Sequence, residues 1–189
     1  MLFSTGIERA LRVALEAHAD QTRKGAARLP YVSHPVHVAL ILAQLGLDEV
    51  AVQAALLHDV VEDCDGWDDP RVRSNFGGAV ADIVAALTED KSRTWDERKR
   101  HAIEHVAQMS TEAAHVKAAD KLHNLSCLLE ELQNASDADE VWAHFRGGRE
   151  KTLRMARELI EALEPRVLAT LGQSLRSVLK ALEEQTNAD

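Results

Sequence analysis

Ala54-Ala-Leu-Leu-His-Asp-Val-Val-Glu-Asp63 is the stretch that decides the interpretation of this chain, because it places four ionisable side chains in an otherwise apolar run. Glu62 and Asp63 follow His58 and Asp59 by four positions, and residues with that spacing lie on the same side of a helix. An adjacent imidazole and carboxylate can bind one divalent cation, whereas burying each charge without a partner would cost roughly several kcal/mol. The stretch therefore predicts a helix that supplies two metal ligands, His58 and Asp59, and two further acids.

Two more candidate ligands lie at a distance along the chain. His34 precedes Pro35, a residue suited to the first turn of a helix, so His34 is expected at a helix start. Asp120 belongs to an amphipathic run whose apolar positions are Val116, Ala119, Leu122 and Leu125. Taken alone, His34 could equally cap a helix or lie on the surface, and Asp120 could be solvated or paired with a lysine. His37, His123 and the remaining histidines are assigned structural or surface roles.

The order His34, His58-Asp59, Asp120 resembles that of the HD-domain metal-dependent phosphohydrolases. Further motifs accompany it: Gln21-Thr-Arg-Lys-Gly25, Pro30-Tyr-Val-Ser-His-Pro35, Phe76-Gly77, Leu87-Thr-Glu-Asp-Lys91, Glu97-Arg-Lys-Arg100 and Ala118-Ala-Asp-Lys-Leu-His-Asn-Leu125. Together they resemble the hydrolase domain of RelA/SpoT proteins, and most of all the stand-alone small alarmone hydrolases related to metazoan SpoT homologues. The similarity extends over residues 7–163.

The resemblance implies an enzyme that hydrolyses the 3′-diphosphate of guanosine tetra- or pentaphosphate to GDP or GTP and pyrophosphate. It implies that Mn²⁺ is the ion held by His34, His58, Asp59 and Asp120. Nitrogen and oxygen donors without a thiolate also suit Fe²⁺ or Zn²⁺, and the spacing alone does not choose among the three ions.

Roles for the remaining site residues also follow from the resemblance. Glu62 and Asp63 match the acidic pair assigned to catalysis, although the residues alone also allow them to support the metal ligands. Arg23 matches the arginine that stacks on the guanine base, Lys24 its neighbour at a phosphate, and Asn124 an asparagine that contacts the nucleoside.

Two departures from the family pattern affect the expected substrate. Ser126-Cys127 stands where relatives commonly carry an arginine and a small polar or acidic residue, and Leu153-Arg-Met-Ala156 replaces an aromatic step. The alternatives are therefore an HD phosphohydrolase for another nucleotide, such as an adenosine alarmone or NADPH, and a nucleotide-sensing or oligomeric module without turnover.

Composition predicts an all-α fold, and together with the resemblance it implies a single compact HD-domain bundle of about eight helices. The 189 residues fit one domain, and nine Gly, four Pro and abundant Ala, Leu and Glu favour helices over strands. Helices are expected near 5–20, 35–46, 48–64, 78–90, 95–109, 111–132, 138–163 and 165–185. We expect the hydrolase domain to span 1–163 and an amphipathic helix within 164–189 to pack on it, although its apolar stripe could also face a second subunit in a homo-oligomer.

A net charge of −9 argues against a nucleic-acid partner, because neutralising a phosphate backbone requires a surplus of Lys and Arg. A small anionic nucleotide remains compatible with local basic clusters, such as Arg98-Lys-Arg100. Neither a signal peptide nor an apolar run long enough to span a bilayer is present, so a cytoplasmic location away from membranes is expected. Cys64 and Cys127 lack the spacing of a zinc knuckle and are expected to be reduced.

Overall fold

The structure is a computed structural model that describes residues 3–23 and 28–187. Within those ranges the chain forms eleven α-helices: α1 Thr5–Ala17, α2 Ser33–Gln44, α3 Glu49–Leu57, α4 Val60–Asp63, α5 Asp69–Phe76, α6 Gly78–Leu87, α7 Trp95–His105, α8 Thr111–Asn134, α9 Ala138–Ala143, α10 Gly148–Leu163 and α11 Ala169–Asn187. The β-structure in the described ranges is one isolated antiparallel bridge between Thr22 and Pro30. The predicted all-α class is therefore confirmed.

Side-chain caps determine where several helices begin. The Ser4, Asp48 and Ser110 side chains accept hydrogen bonds from the first-turn backbone N–H groups of α1, α3 and α8. Thr94 and Glu97 form a reciprocal capping box at the start of α7. Each cap satisfies donors that the first turn of a helix leaves without an intrahelical partner, so these starts are fixed by local sequence.

α8 is the central helix of the molecule and packs against α2, α3, α6, α10 and α11. The buried face of α3 carries Ala51, Ala54 and Ala55, and that of α8 carries Ala118 and Ala119. Small side chains at helix contacts allow the helix axes to approach closely. This packing brings the ends of α2 and α3 against the middle of α8, where the predicted metal ligands lie.

The long helix predicted over 48–64 is interrupted at His58 and Asp59, two of the predicted metal ligands. α3 ends at Leu57, and α4 resumes at Val60 after His58 and Asp59. Asp59 has φ −99° and ψ −7°, outside the ideal α-helical values, yet its carbonyl still accepts a bond from the Asp63 N–H at 2.8 Å. The four ionisable groups therefore keep a nearly helical spacing across a local break.

Two other boundaries differ from the sequence prediction. α5 lies between the helices predicted over 48–64 and 78–90, where the sequence predicts no helix. The Asp68 side chain caps it, a proline lies in its first turn, and Val72 is its one buried residue. The helix predicted over 138–163 is divided into α9 and α10. Gly148, the first residue of α10, has φ +62°, a backbone conformation that favours glycine.

The C-terminal helix α11 packs against α8 and α10. The residues of its predicted apolar stripe that are buried are Leu171, Leu175, Val178, Leu179 and Leu182. Leu168, which continues the same spacing toward the N-terminus, precedes the helix and is 42% exposed. The division of the chain at residue 163 stays a prediction. Among the described residues, no helix has the length and hydropathy needed to cross a membrane.

Candidate metal centre and active site

The four predicted metal ligands come from three separate segments of the chain and meet in one place. His34 lies in the first turn of α2, His58 and Asp59 lie at the break between α3 and α4, and Asp120 lies in the middle of α8. Both histidines are buried, with 1% exposure for His34 and 5% for His58. Ligand atoms of His34, His58 and Asp120 all lie within 4.8 Å of one another, a spacing that could hold a metal ion.

Asp59 lies beside this three-residue group and contacts both imidazoles. Its Oδ2 is 3.2 Å from His58 Nε2 and 3.6 Å from His34 Nε2. Asp120 Oδ1 approaches the same two nitrogens, at 3.3 Å from His34 Nε2 and 4.0 Å from His58 Nε2. Two imidazole nitrogens and two carboxylate oxygens therefore face a common centre.

The hydrogen bonding of His58 supports a cation at that centre. Its Nδ1 is 2.7 Å from the Ala55 carbonyl oxygen. A carbonyl only accepts hydrogen bonds, so Nδ1 carries a proton, and a neutral ring in this orientation presents a bare lone pair at Nε2. Nε2 is buried and has no hydrogen-bond partner among the described residues, although a carboxylate oxygen lies 3.2 Å away. Two facing acceptors are mutually repulsive, and a shared divalent ion would satisfy both.

Neighbouring side chains orient both candidate carboxylate ligands. The Tyr31 hydroxyl donates to Asp59 Oδ2 at 2.7 Å, and Asn124 Nδ2 donates to Asp120 Oδ1 at 2.6 Å. Burial and the adjacent Asp59 charge raise the pKa of Tyr31, so its hydroxyl stays a donor. Burial alone would raise the pKa of Asp120, but its close contact with His34 and the nearby charge of Lys117 hold it well below its usual range.

The predicted substrate residues differ in how far the structure describes them. Arg23 Nη2 donates to Asn124 Oδ1 at 3.0 Å, and the Arg23 guanidinium lies 5.9 Å from the centroid of the Tyr31 ring. Arg23 and Asn124 are thus brought together, and Asn124 joins them to the candidate ligand Asp120. Lys24, the third predicted substrate residue, lies outside the described residues.

Glu62 and Asp63, the predicted acid pair, occupy different surroundings at the end of α4. Glu62 Oε2 accepts a bond from the Glu89 backbone N–H at 3.0 Å. Burial and the neighbouring carboxylates raise the pKa of Glu62, against the opposing effect of that bond. Asp63 is more exposed and accepts from Lys91 Nζ at 2.5 Å. Glu62 therefore has a raised pKa and lies in the more buried position, and Asp63 is an acceptor paired with a lysine.

A cavity of about 580 Å³ opens over these groups. All four candidate ligands and both acids line it, and so do the cationic side chains Arg23, Arg98, Lys99, Lys117, Lys121 and Arg146. Burial lowers the pKa of Lys121 to about 8, assisted by the charges of Lys99 and Lys117. A cavity with a cation site, two acids and a basic wall suits a compact, multiply charged anion.

A larger cavity of about 1070 Å³ lies alongside and is not lined by the four candidate ligands. It shares Arg23, Cys127, Glu131 and His144 with the first cavity. Ser126 and Cys127, the first departure from the family pattern, both line it. In the second departure, Leu153 is buried and Ala156 lines the smaller cavity. Both departures are therefore at or next to the cavities.

Four residues at or next to the site are not predicted from the sequence: Tyr31, Lys117, Lys121 and His123. Lys117 and His123 have a recoverable signal, because each lies three positions from Asp120 and shares its helix face. His123 was given a structural or surface role, yet it is buried and its Nδ1 lies 2.9 Å from His34 Nδ1. Burial and the nearby His34 and Arg23 lower the pKa of His123 to about 3.

Comparisons with known proteins agree with this geometry. The sequence profile of a family described as HD domain matches residues 10–152, a range that includes all four candidate ligands. The chain belongs to the HD-domain family. The predicted resemblance to the hydrolase domain of RelA/SpoT proteins is also confirmed, by the relatives described next.

Two curated HD-domain relatives are named guanosine-3′,5′-bis(diphosphate) 3′-pyrophosphohydrolase MESH1. The Danio rerio protein is 42% identical over 134 residues, which cover 70% of this chain and 74% of the relative. The Xenopus tropicalis protein is 38% identical over 156 residues, which cover 80% of this chain and 87% of the relative. A solved structure, described as a metazoan ortholog of SpoT that hydrolyzes ppGpp and plays a role in starvation responses, superimposes with TM-score 0.83 at 33% identity, covering 95% of this chain and 97% of that one.

Proposed function

We propose that this chain is a manganese-dependent hydrolase that removes the 3′-diphosphate of guanosine tetra- or pentaphosphate and releases pyrophosphate with GDP or GTP. The observation that carries the proposal is the bare, buried Nε2 of His58, which faces the Asp59 carboxylate in a cavity that also holds an acid pair and a basic wall. The names of the relatives support the guanosine substrate.

The proposed metal ligands are His34, His58, Asp59 and Asp120. A divalent ion bound by them would supply Lewis acidity, drawing charge from a phosphate oxygen and lowering the pKa of water from about 15.7 toward neutrality. Nitrogen and oxygen donors are compatible with Mn²⁺, and also with Fe²⁺ and Zn²⁺. The identity of the ion therefore has to be measured by reconstitution.

The proposed reaction is the attack of water on the phosphorus bound to the ribose 3′-oxygen. The bond between that phosphorus and the 3′-oxygen breaks, the water oxygen stays on the released pyrophosphate, and the ribose oxygen takes a proton. Glu62 is suited to accept the proton of the water and return it to the ribose oxygen, because its raised pKa lies closer to neutrality than that of an ordinary glutamate. Asp63, held by Lys91, is suited to orient the water.

Substrate recognition would divide between the basic wall and the Arg23–Asn124 pair. Arg98, Lys99, Lys117 and Lys121 line the cavity that contains the metal ligands, and can make charge-assisted hydrogen bonds to phosphate oxygens. Arg23 offers a planar guanidinium for stacking on a purine, and Asn124 offers an amide to the nucleoside. Lys24 is retained as a phosphate contact from the sequence alone.

The experiment that tests the proposal uses protein freed of metal by a chelator and reloaded separately with Mn²⁺, Fe²⁺ or Zn²⁺. Guanosine tetraphosphate is added and the products are separated by anion-exchange chromatography. We expect GDP and pyrophosphate in equal amounts, most rapidly with Mn²⁺, and no products from the metal-free protein. Release of inorganic monophosphate, or turnover without metal, would contradict the proposed reaction.

A second candidate function is hydrolysis of another phosphorylated nucleotide, such as an adenosine alarmone or NADPH, by the same metal centre. It is favoured by Ser126 and Cys127, which depart from the family pattern and line the large cavity next to the metal site. A panel of nucleotides compared by kcat/KM separates the two candidates. Tight nucleotide binding without any turnover in metal-loaded protein would instead indicate a sensing module.

A further inference from the structure

The two imidazoles of the candidate metal centre are held in different ways. His58 Nδ1 donates to the Ala55 carbonyl oxygen within its own helical segment, at 2.7 Å. His34 Nδ1 instead meets a side chain from another helix, His123 of α8, at 2.9 Å between the two Nδ1 atoms. One ligand is therefore oriented by local backbone, and the other by a contact between helices.

The tautomers of this histidine pair follow from the geometry. His34 Nε2 faces Asp120 at 3.3 Å and Asp59 at 3.6 Å, so it must present a lone pair if a cation is bound there. The proton of neutral His34 then lies on Nδ1, which donates to His123 Nδ1. His123 Nδ1 must accept, which places its own proton on Nε2.

We propose that His123 is a positioning residue that orients His34 and fixes its tautomer for metal binding. The inference rests on the proposed metal centre and extends it to a residue outside the ligand set. It also gives α8 two tasks, because this helix supplies Asp120 as a ligand and, three positions later, the partner of a second ligand. The packing of α2 on α8 thereby sets the relative orientation of two ligands.

The surroundings of His123 keep its ring in place. It is 8% exposed, and its ring centroid lies 4.8 Å from that of His34 and 4.7 Å from that of His37. Both ring nitrogens are 3.7 Å from Cys127 Sγ. His37 touches the same ring, and within the described part of the chain no hydrogen bond joins it to His34, so it provides a matched control for packing without orientation.

Metal affinity in the absence of substrate provides the test. Purified metal-free protein is titrated with Mn²⁺ by calorimetry or by competition with a chelator. His123→Leu removes the acceptor and should weaken Mn²⁺ binding by about 10–100-fold, the usual effect of losing the outer partner of a metal-bound histidine. His123→Asn keeps an acceptor near the position of Nδ1 and should bind Mn²⁺ close to the wild-type affinity, and so should His37→Leu.

The variants separate orientation from general packing. Wild-type affinity in a folded His123→Leu would overturn the proposal, and so would equal weakening in His123→Leu and His123→Asn. If His123→Leu does not fold, the tautomers of His34 and His123 in the wild type provide the test. Long-range ¹H–¹⁵N NMR of the Zn²⁺-loaded wild type should show His34 protonated at Nδ1 and His123 protonated at Nε2, and the opposite assignment for either residue would overturn the proposal.

The outcome is independent of the substrate assignment. One outcome is that His123→Leu loses Mn²⁺ affinity while the Mn²⁺-loaded wild type releases no pyrophosphate from guanosine tetraphosphate. This outcome would support the role of His123 and overturn the proposed function. Pyrophosphate release by the wild type, together with full Mn²⁺ affinity in His123→Leu, would support the proposed function and overturn the role of His123. A wild type that binds no divalent ion would overturn both.

Discussion

The backbone N–H of Glu89 donates a hydrogen bond to Glu62 Oε2 at 3.0 Å, although the two residues are 27 positions apart in the chain. The Glu89 side chain is itself ionised, because Lys99 and neighbouring cations lower its pKa against the effect of burial. Lys99 Nζ lies 2.7 Å from Glu89 Oε1, and Arg98 Nη1 lies 3.3 Å from Oε2. The same residue thus anchors Glu62 through its backbone and repels its charge through its side chain.

The first prediction concerns the acid limb of the pH–activity profile. Since burial and nearby carboxylates raise the pKa of Glu62, acidification should protonate it, and remove the proposed proton acceptor, at a higher pH than for an ordinary glutamate. Glu89→Gln removes one of those carboxylates and releases Arg98 toward Glu62. Both effects lower the pKa of Glu62, so the acid limb should move to lower pH.

The pH profile of kcat in metal-saturated protein measures this shift. Glu104→Gln is the matched control, because Glu104 is an exposed acid on α7 and should leave the profile unchanged. An acid limb that stays in place in Glu89→Gln, or moves to higher pH, would remove Glu62 from the proposed proton transfer.

The second prediction concerns the metal ligands. Asp59→Ala or Asp120→Ala should abolish Mn²⁺ binding and turnover, because each removes an anionic donor that faces the two imidazole nitrogens. His37→Ala should affect neither. Metal content measured after gel filtration provides the check, and undiminished occupancy in both aspartate variants would contradict the assignment.

The third prediction separates the acid pair from metal retention. Glu62→Gln and Asp63→Asn preserve shape but remove a charge that can accept a proton, so turnover should fall by roughly 10²-fold or more. The metal should remain bound, because neither residue is among the two imidazoles and two carboxylates that face the common centre. Near-normal turnover in both variants, with the metal in place, would leave the pair with only a structural role.

How far the sequence predicts this site depends on whether a contact is local. Short-range helix geometry predicts two features of the site, and the structure shows both. The ionisable groups from His58 to Asp63 keep a nearly helical spacing, and His34, which precedes a proline, lies in the first turn of α2. The position of Asp120 on its helix face was also readable from the apolar pattern. Periodicity, however, did not reveal the break at Asp59, because the hydrogen bond from the Asp63 N–H continues across it.

The parts of the site that the sequence does not predict depend on contacts between distant segments. Tyr31 reaches Asp59 across 28 positions, and His123 reaches His34 across 89. The anchor of Glu62 is a backbone N–H, a group that every residue except proline carries and that therefore leaves no trace in the sequence. Such partners become visible only when the packing of the helices is known.

The fourth prediction concerns Arg23 and Asn124, which share a hydrogen bond and lie in the cavity that holds the metal ligands. Arg23→Ala should raise KM for guanosine tetraphosphate more than it lowers kcat, because stacking on the base is already present before the transition state. Since Arg23 also orients Asn124, the double variant Arg23→Ala with Asn124→Ala should lose less than the sum of the single losses in binding free energy.

Steady-state kinetics on the two single variants and the double variant measure this coupling, with metal content determined in parallel. Arg12→Ala is the matched control, because Arg12 is an exposed arginine paired with Glu8 and lines neither cavity. Strict additivity would show that the two side chains act separately on the substrate. If the Mn²⁺-loaded wild type instead hydrolyses another nucleotide and neither guanosine alarmone, the metal chemistry stands, the guanosine assignment is wrong, and the cavity wall at Ser126 and Cys127 becomes the first place to exchange residues.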